Sequence, residues 1–224
     1  MISIIVPILN EEKNIQRLQK NLKALQGEFE VVFCDGGSTD RTLELIDPAF
    51  RVVNGRKGRG YQMNEGAKSA TGDLFFFIHC DTVLEEDVLN KISLNVKTGK
   101  SVGYLRLEFD SASWLMKICA FMSGLRTSVR KIVYGDQGII ITRELLEQLG
   151  GIPQLPIMED LEFSLRLKKQ NIPLEQVRSK IITSSRRFEE NGMFRTMQQM
   201  QKLQLKYLFG KNVELILNEY NDVR

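Results

Sequence analysis

The chain has 224 residues, 42% of them hydrophobic and 26% charged, a balance that excludes an intrinsically disordered protein and is typical of one globular domain. Its 31 basic and 28 acidic side chains give a net charge of +3, too little for a dedicated nucleic-acid-binding protein. A single histidine, His79, excludes a zinc site with two or three histidines from one chain, so the chemistry must rest on carboxylates or on His79 itself.

Cysteine spacing and the N-terminus bear on the cellular compartment. Cys34, Cys80 and Cys119 are odd in number, far apart and set in apolar segments, so neither a CxxC site nor a disulfide framework is predicted. The first residues, MISIIVPILNEE, lack the basic segment of a signal peptide. The longest apolar stretches, 74–80 and 114–125, fall short of the ~20 residues that span a bilayer. We therefore expect a cytoplasmic protein without a transmembrane segment.

The first half of the chain alternates strand and helix patterns. Apolar, β-branched runs predict four strands at 2–9, 29–34, 51–53 and 73–79. A helix is expected to begin at an Asn10 N-cap and to end before Gly27, a second to carry Leu43 and Ile46, and a third to run through Tyr61. This order predicts a doubly wound, mostly parallel sheet with helices on both faces, which binds ligands beyond the carboxyl ends of its strands.

The second half is less regular. Its patterns predict an antiparallel or edge strand at 101–109, a helix at 113–125, a strand at 138–142, a helix at 158–169 and a helical stripe of Met193, Met197, Met200, Leu203 and Tyr207. Core packing is favoured for the helix at 113–125, with a membrane contact, an acceptor surface or a dimer contact as the alternatives. For the stripe, a core-facing helix is favoured over a basic amphipathic helix on a membrane surface.

No nucleotide-binding loop of a standard type is present. Residues 55–60 read GRKGRG, which is not the GxGxxG of dinucleotide-binding folds, and no GxxxxGK[ST] loop exists. A dehydrogenase or an NTPase would therefore lack its phosphate-binding loop. Arg56, Lys57 and Arg59 could still meet a phosphate, although surface charge explains them equally well.

Three acidic positions stand at the ends of predicted elements. Asp35 and Asp81 each end a buried strand, and the pair Glu159-Asp160 opens a helix. A helix cap or a solvated turn would explain any one of them. Together, on one rim of a parallel sheet, they indicate a functional site, because hard divalent cations prefer oxygen ligands.

Four segments in order carry a family resemblance: SIIVPILNEEKNI, VVFCDGGSTDRT, GDLFFFIHCDT and EDLEFSLRL. They resemble the family 2 glycosyltransferases of the GT-A fold, and more narrowly a small group of standalone bacterial enzymes. That group has a His-x-Asp strand-end motif, a GDQG segment and an Arg-Arg-aromatic segment; this chain has His79-Cys80-Asp81, GDQG at 135–138 and Arg186-Arg187-Phe188. The likeness runs from Ile2 to about Gly210.

The resemblance implies an α/β fold, with a Rossmann-like, mostly parallel central sheet and a smaller antiparallel element on the acceptor side. It implies one domain, 1–224, with a nucleotide-sugar-binding half at 1–105 and an acceptor-side half with C-terminal helices at 106–224. It also implies that Pro7, Asn10 and Glu11 line the nucleotide pocket. Asp35 would accept a hydrogen bond from the base, and Arg59 would lie near the donor nucleotide.

The same resemblance assigns the metal and the base. Asp81 matches the last residue of the DxD motif, which holds a divalent ion, Mn²⁺ or Mg²⁺, across the donor diphosphate. Asp160, preceded by Glu159, matches the catalytic base. The first DxD position here is His79, and imidazole ligates Mn²⁺ better than Mg²⁺. Asp81 with the diphosphate could thus hold the ion nearly alone, or His79 could assist; a simple hydrogen-bonding role for His79 is equally open.

Two further pairs have balanced interpretations. Arg186 or Arg187 could fold over the diphosphate, because a guanidinium pairs with phosphate in a bidentate way, or both could be surface residues. Asp136 and Gln137 precede a strand and could face the acceptor, or Asp136 could form a cap or turn.

We therefore predict an inverting, hexosyltransferase-like enzyme that moves a sugar from a nucleoside-diphosphate sugar to an acceptor hydroxyl, with metal assistance and a carboxylate general base. The acceptor class stays open between a glycan, a lipid and a small metabolite, and no nucleic-acid partner is expected. A homodimer and peripheral contact with the inner face of a membrane are both open. The alternatives are a sugar nucleotidyltransferase, whose glycine-rich basic loop would stand where this chain has PILNEE, and a non-catalytic nucleotide-sugar-binding protein.

Overall fold

A computed structural model describes residues 1–95 and 100–221, with the backbone alone at Asn95, Arg187, Asn191 and Asn221. The strands are β1 (Ile2–Ile8), β2 (Phe29–Asp35), β3 (Arg51–Asn54), β4 (Leu74–Phe77), β5 (Val83–Leu84), β6 (Val102–Phe109), β7 (Ile139–Thr142) and β8 (Leu174–Thr183). The helices are α1 (Ile15–Leu22), α2 (Arg59–Ser69), α3 (Val88–Asn95), α4 (Trp114–Arg130), α5 (Arg143–Gln148), α6 (Glu159–Lys169), α7 (Arg186–Asn191), α8 (Met193–Leu208) and α9 (Val213–Asn221).

These strands form one sheet in the order β3-β2-β1-β4-β7-β6-β8-β5. Strands β1 to β4 run parallel to one another, with Ile2 opposite both Phe29 and Leu74. Strand β7 runs antiparallel to both β4 and β6, while β6 runs parallel to β8. The predicted α/β architecture is confirmed. The edge position considered for β6 is wrong, because β6 lies between β7 and β8; its antiparallel pairing is found toward β7.

Apolar side chains cover both faces of the parallel part of the sheet. Ile4, Val6 and Ile8 of β1 pack in one cluster with α1 and α3, whereas Ile5 packs in a second cluster with α2, α5 and α6. This burial on both faces explains why the strand sequences read as continuous apolar runs. The predicted division near residue 105 falls inside β6 and stays a prediction.

The predicted start of the first helix is wrong. Helix α1 begins at Ile15, because Asn10 adopts a left-handed conformation with φ 54° and does not cap it. The Asn10 backbone N–H donates to Ser38 Oγ, and the Asn10 Oδ1 accepts from the Thr39 backbone N–H. The loops after β1 and β2 are thereby joined. The helix expected around Leu43 is only a single 3₁₀ turn.

The core role favoured for the helix at 113–125 is also largely wrong. Helix α4 extends to Arg130, but it buries only Met116, Ser123 and Thr127. Its longest apolar side chains face solvent. Within the described ranges 1–95 and 100–221, no helix is long and apolar enough to cross a bilayer.

Candidate active site

Side chains from distant parts of the chain line a cavity of about 150 Å³. The lining residues are Arg59, His79, Tyr134, Asp136, Ile157, Met158, Asp160, Met200, Gln204 and Tyr220. Three predicted site residues, Arg59, His79 and Asp160, are thus brought together. The cavity lies beyond the carboxyl end of β4. The strand order reverses here, because β2 and β3 lie on one side of β1 and β4 lies on the other. Open α/β sheets bind their ligands at such a point.

The start of α6 places the acidic pair. Met158, the residue before the helix, has φ 66° and is buried, a left-handed conformation that a non-glycine residue rarely adopts. Asp160 therefore stands in the first turn, where the helix dipole favours a carboxylate. Its Oδ1 accepts from the Leu161 N–H at 2.8 Å and its Oδ2 accepts from the Gly135 N–H at 3.2 Å. Two backbone donors thus fix the orientation of a half-buried carboxylate at the cavity wall.

Glu159 has a different environment from Asp160. Its Oε1 lies 2.8 Å from Arg59 Nε, and its side chain is 4% exposed compared with 40% for Arg59. Burial raises the pKa of Glu159, the Arg59 charge opposes that rise, and Glu159 in turn raises the pKa of Arg59. Glu159 is absent from the cavity lining and acts as the counter-ion that holds Arg59 in place.

Asp136 is a second carboxylate in the cavity. Its Oδ1 is buried and has no hydrogen-bond partner among the described residues. Burial raises the pKa of Asp136 to about 6; Arg126 opposes this rise, and the charges of Asp160 and Asp81 add to it. The neighbouring Gln137 points away from the cavity and accepts from Thr127 Oγ1 at 2.9 Å. Asp136 is therefore the member of the GDQG segment that faces the site.

His79 packs directly on the GDQG segment. A Cβ added at Gly135 would lie 2.6 Å from His79 Nε2, so only glycine fits there without displacing the ring. Burial and the Arg59 charge lower the pKa of His79 to about 3, so the imidazole is neutral at pH 7. A neutral imidazole can act as a metal ligand or as a hydrogen-bonding group.

Gly135→Ala is expected to displace His79 and the Gly135 N–H that orients Asp160, and so to lower donor turnover at least tenfold with a reduced unfolding temperature. The matched control is Gly124→Ala, in the middle of α4, where an added Cβ meets nothing within 4 Å. That control should stabilise the fold by about 0.5–1 kcal/mol and leave turnover unchanged. Thermal unfolding and turnover of both variants check this; equal behaviour would contradict the packing of His79 on Gly135.

Asp81 lies in the loop after β4 and is half-buried. Burial raises its pKa; the Arg186 charge opposes this rise, and Asp110 adds to it. Asp81 therefore lies within electrostatic reach of Arg186, which projects from α7 and is mostly exposed. The side chain of Arg187 lies outside the described part of the chain.

The donor set around Asp81 decides whether a divalent cation fits. Across residues 1–95 and 100–221, no three His, Cys, Asp or Glu side chains converge to hold a metal ion. Magnesium-type sites commonly use one or two carboxylates and complete their coordination with substrate phosphates and water. Asp81 therefore fits an ion shared with a bound diphosphate, and does not fit a metal centre built from protein alone.

The predicted nucleotide-pocket residues lie at the ends of β1 and β2. Asp35 is buried and accepts from the Gly37 N–H at 2.9 Å and from Ser38 Oγ at 2.5 Å. Its carboxylate thus shapes the loop after β2. Pro7 is buried opposite Cys34 in the register of the two strands, while Asn10 is exposed. The Glu11 N–H donates to Thr42 Oγ1 at 2.7 Å, and these four predicted residues do not line the cavity.

Gln62 of α2 joins the same two strand ends and was missed by the sequence analysis. Its Nε2 donates to the Ile8 carbonyl at 2.7 Å and to the Cys34 carbonyl at 2.8 Å. The side chain is 2% exposed, so both carbonyls are satisfied inside the protein. Helix α2 therefore supports the floor of the loops after β1 and β2, while its first residue, Arg59, reaches the cavity.

Comparison with known proteins adds a family. The family model described as Glycosyl transferase family 2 matches residues 3–128, more than half of the chain. A Methanococcus voltae protein named dolichyl N-acetyl-alpha-D-glucosaminyl phosphate 3-beta-D-2,3-diacetamido-2,3-dideoxy-beta-D-glucuronosyltransferase is 27% identical over 77% of this chain and 63% of its own length. The undecaprenyl-phosphate 4-deoxy-4-formamido-L-arabinose transferase of Proteus mirabilis is 23% identical over 62% of this chain and 47% of its own length. The chain thus spans less than two thirds of these relatives.

Two solved structures share the fold. A mannosyltransferase from Pyrobaculum calidifontis in complex with GDP-Man and Mn²⁺ has a TM-score of 0.66 and 19% identity, and the match covers 99% of this chain and 69% of that one. TarS of S. aureus in complex with UDP-GlcNAc has a TM-score of 0.66 and 20% identity, over 82% of this chain and 58% of that one. The predicted GT-A-like fold is confirmed by this likeness.

Proposed function

Because this chain belongs to glycosyl transferase family 2, we propose that it is an inverting enzyme that moves a sugar from a nucleoside-diphosphate sugar to an acceptor hydroxyl. The observation that carries the proposal is the position of Asp160, held by two backbone N–H groups in the wall of a cavity that also contains Arg59 and Asp136. A carboxylate in this setting can remove the proton of an attacking hydroxyl.

The proposed base step needs only groups of this chain. Asp160 accepts the acceptor's hydroxyl proton while that oxygen attacks the anomeric carbon from the side opposite the diphosphate, and the configuration inverts. Asp160 is proposed as the base in preference to Glu159, because Glu159 is committed to Arg59. Asp136, with its pKa raised by burial and its Oδ1 unpaired among the described residues, is positioned to hydrogen-bond a sugar or acceptor hydroxyl.

The departing diphosphate would be held by positive charge. Asp81 would ligate a divalent ion, which when bound neutralises the charge that develops on the diphosphate. Arg186, whose charge opposes the raised pKa of Asp81, would pair with a phosphate oxygen of a diphosphate bound there. Arg59, which is held in place by Glu159, would bring its positive charge to the donor from the start of α2.

The nucleoside is proposed to bind at the ends of β1 and β2 and the loops that follow them, where Pro7, Asn10, Glu11 and Asp35 lie. The carboxylate of Asp35 retains acceptor capacity beyond its loop contacts and can meet an N–H of the base. The solved neighbours were bound to UDP-GlcNAc in one case and to GDP-Man with Mn²⁺ in the other, which favours a nucleotide-sugar donor without selecting a base.

The acceptor is proposed to be carried on a lipid. The two relatives named above carry dolichyl or undecaprenyl phosphate in their names. The cavity wall contributes Ile157, Met158 and Met200 beside its charged groups, which suits an acceptor with an apolar part. A glycan or a small metabolite would not need such a wall.

Thermal-shift measurement with UDP-, GDP- and dTDP-sugars, each with and without Mn²⁺, tests the proposal. At a concentration of 100 Kd the matching donor should stabilise the fold by about 2.7 kcal/mol, and the shift should depend on Mn²⁺. Glucose 1-phosphate, which lacks the nucleoside, serves as the control ligand. The absence of a shift with every donor would contradict a nucleotide-sugar site.

A further inference from the structure

Helix α4 presents an apolar face to solvent. The face consists of Trp114, Ile118, Phe121, Met122, Leu125 and Val129. These residues recur at the spacing of one side of a helix, and Trp114, Phe121 and Val129 are 66–70% exposed. An exposed apolar row of this length, on a helix that buries only three side chains, marks an interaction surface.

Helix α8 adjoins this face. Cys119 Sγ of α4 lies 3.4 Å from Met193 Sδ and 3.3 Å from Met197 Sδ, so the N-terminal half of α8 packs beside α4. Phe194, the residue after Met193, is 77% exposed, and Phe209 at the far end of α8 is 83% exposed. We name the outward sides of α4 and α8 together the α4–α8 surface.

Basic side chains frame the α4–α8 surface. Residues 114–131 and 193–211 contain eight Lys and Arg and no Asp or Glu. Because the whole chain carries +3, the rest of it carries a net charge of −5. Arg126 turns inward, and its Nη2 donates to Gln137 Oε1 at 3.0 Å. Lys206 pairs with Glu219 of α9. The other basic residues are exposed: Lys117, Arg130 and Lys131 on the α4 side, and Arg195, Lys202 and Lys211 on the α8 side.

A depression of about 720 Å³ runs along the outer side of α8. Its walls combine the basic groups Arg195, Lys202 and Lys211 with the apolar Leu205 and Phe209. Cationic groups beside aromatic and aliphatic side chains match the border between lipid headgroups and acyl chains.

We propose that the α4–α8 surface docks on a membrane that contains anionic lipid. The apolar row would enter the headgroup boundary while the exposed Lys and Arg meet the lipid charges. A second copy of the chain is a poorer occupant, because two such surfaces would oppose basic groups with no acidic side chain on either helix to compensate them. This proposal rests on the proposed function: docking on a membrane would bring the active site to an acceptor that is carried on a lipid.

Vesicle flotation tests the proposal. The full chain is mixed with phosphatidylcholine vesicles that contain a third phosphatidylglycerol, or with pure phosphatidylcholine vesicles, and the floating fraction is measured. The wild type should float with the anionic vesicles and should bind the neutral ones at least tenfold more weakly. Phe121→Ser/Val129→Ser and, separately, Lys117→Gln/Arg130→Gln should each lower binding to anionic vesicles about tenfold or more.

The matched control variants change residues in the first half of the chain, outside α4 and α8. Leu43→Ser/Leu94→Ser removes exposed apolar groups outside α4 and α8, and Lys13→Gln/Lys20→Gln removes two exposed cations of the first half. Both control variants should float like the wild type. Donor-dependent thermal shifts are measured on all variants, so a failure of membrane docking with an intact donor shift is distinguished from a failure of the proposed function.

Three results would overturn the docking proposal. The first is a wild type that stays unbound with anionic vesicles. The second is binding that Phe121→Ser/Val129→Ser and Lys117→Gln/Arg130→Gln leave unchanged. The third is a lipid-free dimer in sedimentation velocity that Phe121→Ser/Val129→Ser dissolves, because the α4–α8 surface would then be a contact between two copies.

Discussion

Asp160→Asn is expected to lower kcat for sugar transfer by about 10²–10⁴-fold while donor binding is unchanged. The amide has nearly the shape of the carboxylate, and its oxygen can still accept from the Leu161 or Gly135 N–H. It cannot accept a proton from the attacking hydroxyl at neutral pH. Turnover is measured as nucleoside diphosphate released, and donor binding as the thermal shift.

Glu162→Gln is the matched control for Asp160→Asn. Glu162 lies in the same helical turn, but its carboxylate accepts from Tyr207 Oη at 2.7 Å and does not line the cavity. This variant should keep the wild-type kcat. Full transfer by Asp160→Asn with an unaltered donor shift would show that Asp160 is not the base.

Asp81→Ala is expected to abolish the Mn²⁺ dependence of nucleoside-diphosphate binding. The reason is that Asp81 would be the protein ligand of an ion otherwise held by phosphate oxygens and water. In calorimetric titration, the Kd of the variant with Mn²⁺ should equal the Kd of the wild type without it. Asp87→Ala, which removes a carboxylate that is 49% exposed between β5 and α3, should titrate like the wild type. An unchanged titration of Asp81→Ala would contradict the metal role.

Much of the donor side was predictable because parallel strands impose one geometry. The carboxyl ends of parallel strands lie on one rim of the sheet, so the shared rim of Asp35 and Asp81 follows from recognising β2 and β4. The acidic pair Glu159-Asp160 predicted a helix N-terminus, because the helix dipole favours carboxylates in the first turn. The sequence could not predict the separate roles of Glu159 and Asp160, because they depend on a contact between Glu159 and Arg59, which is a hundred residues away in the chain.

The acceptor side could not be predicted in the same way. Met200, Gln204 and Tyr220 reach the cavity because the C-terminal helices α8 and α9 fold back over α6, and no local sequence pattern predicts that contact. The apolar period of α4 shows that it is amphipathic, but a period cannot tell whether the apolar side meets the core or an outside surface.

Asn10 illustrates a local ambiguity. Asparagine is favoured both at helix N-caps and in the left-handed conformation, and the same side chain supports either choice. The contacts to Ser38 and Thr39 in a neighbouring loop decide between them.

Release of nucleoside diphosphate from a panel of nucleotide sugars, with Mn²⁺ or with EDTA, tests the central claim most directly. The wild type should release the diphosphate from at least one donor with Mn²⁺, with slow hydrolysis by water where the acceptor is missing, and EDTA and Asp160→Asn should each suppress the release. A wild type that binds a donor in thermal shift and yet releases nothing, with lipid-phosphate acceptors or water, would contradict catalysis and leave a nucleotide-sugar-binding protein.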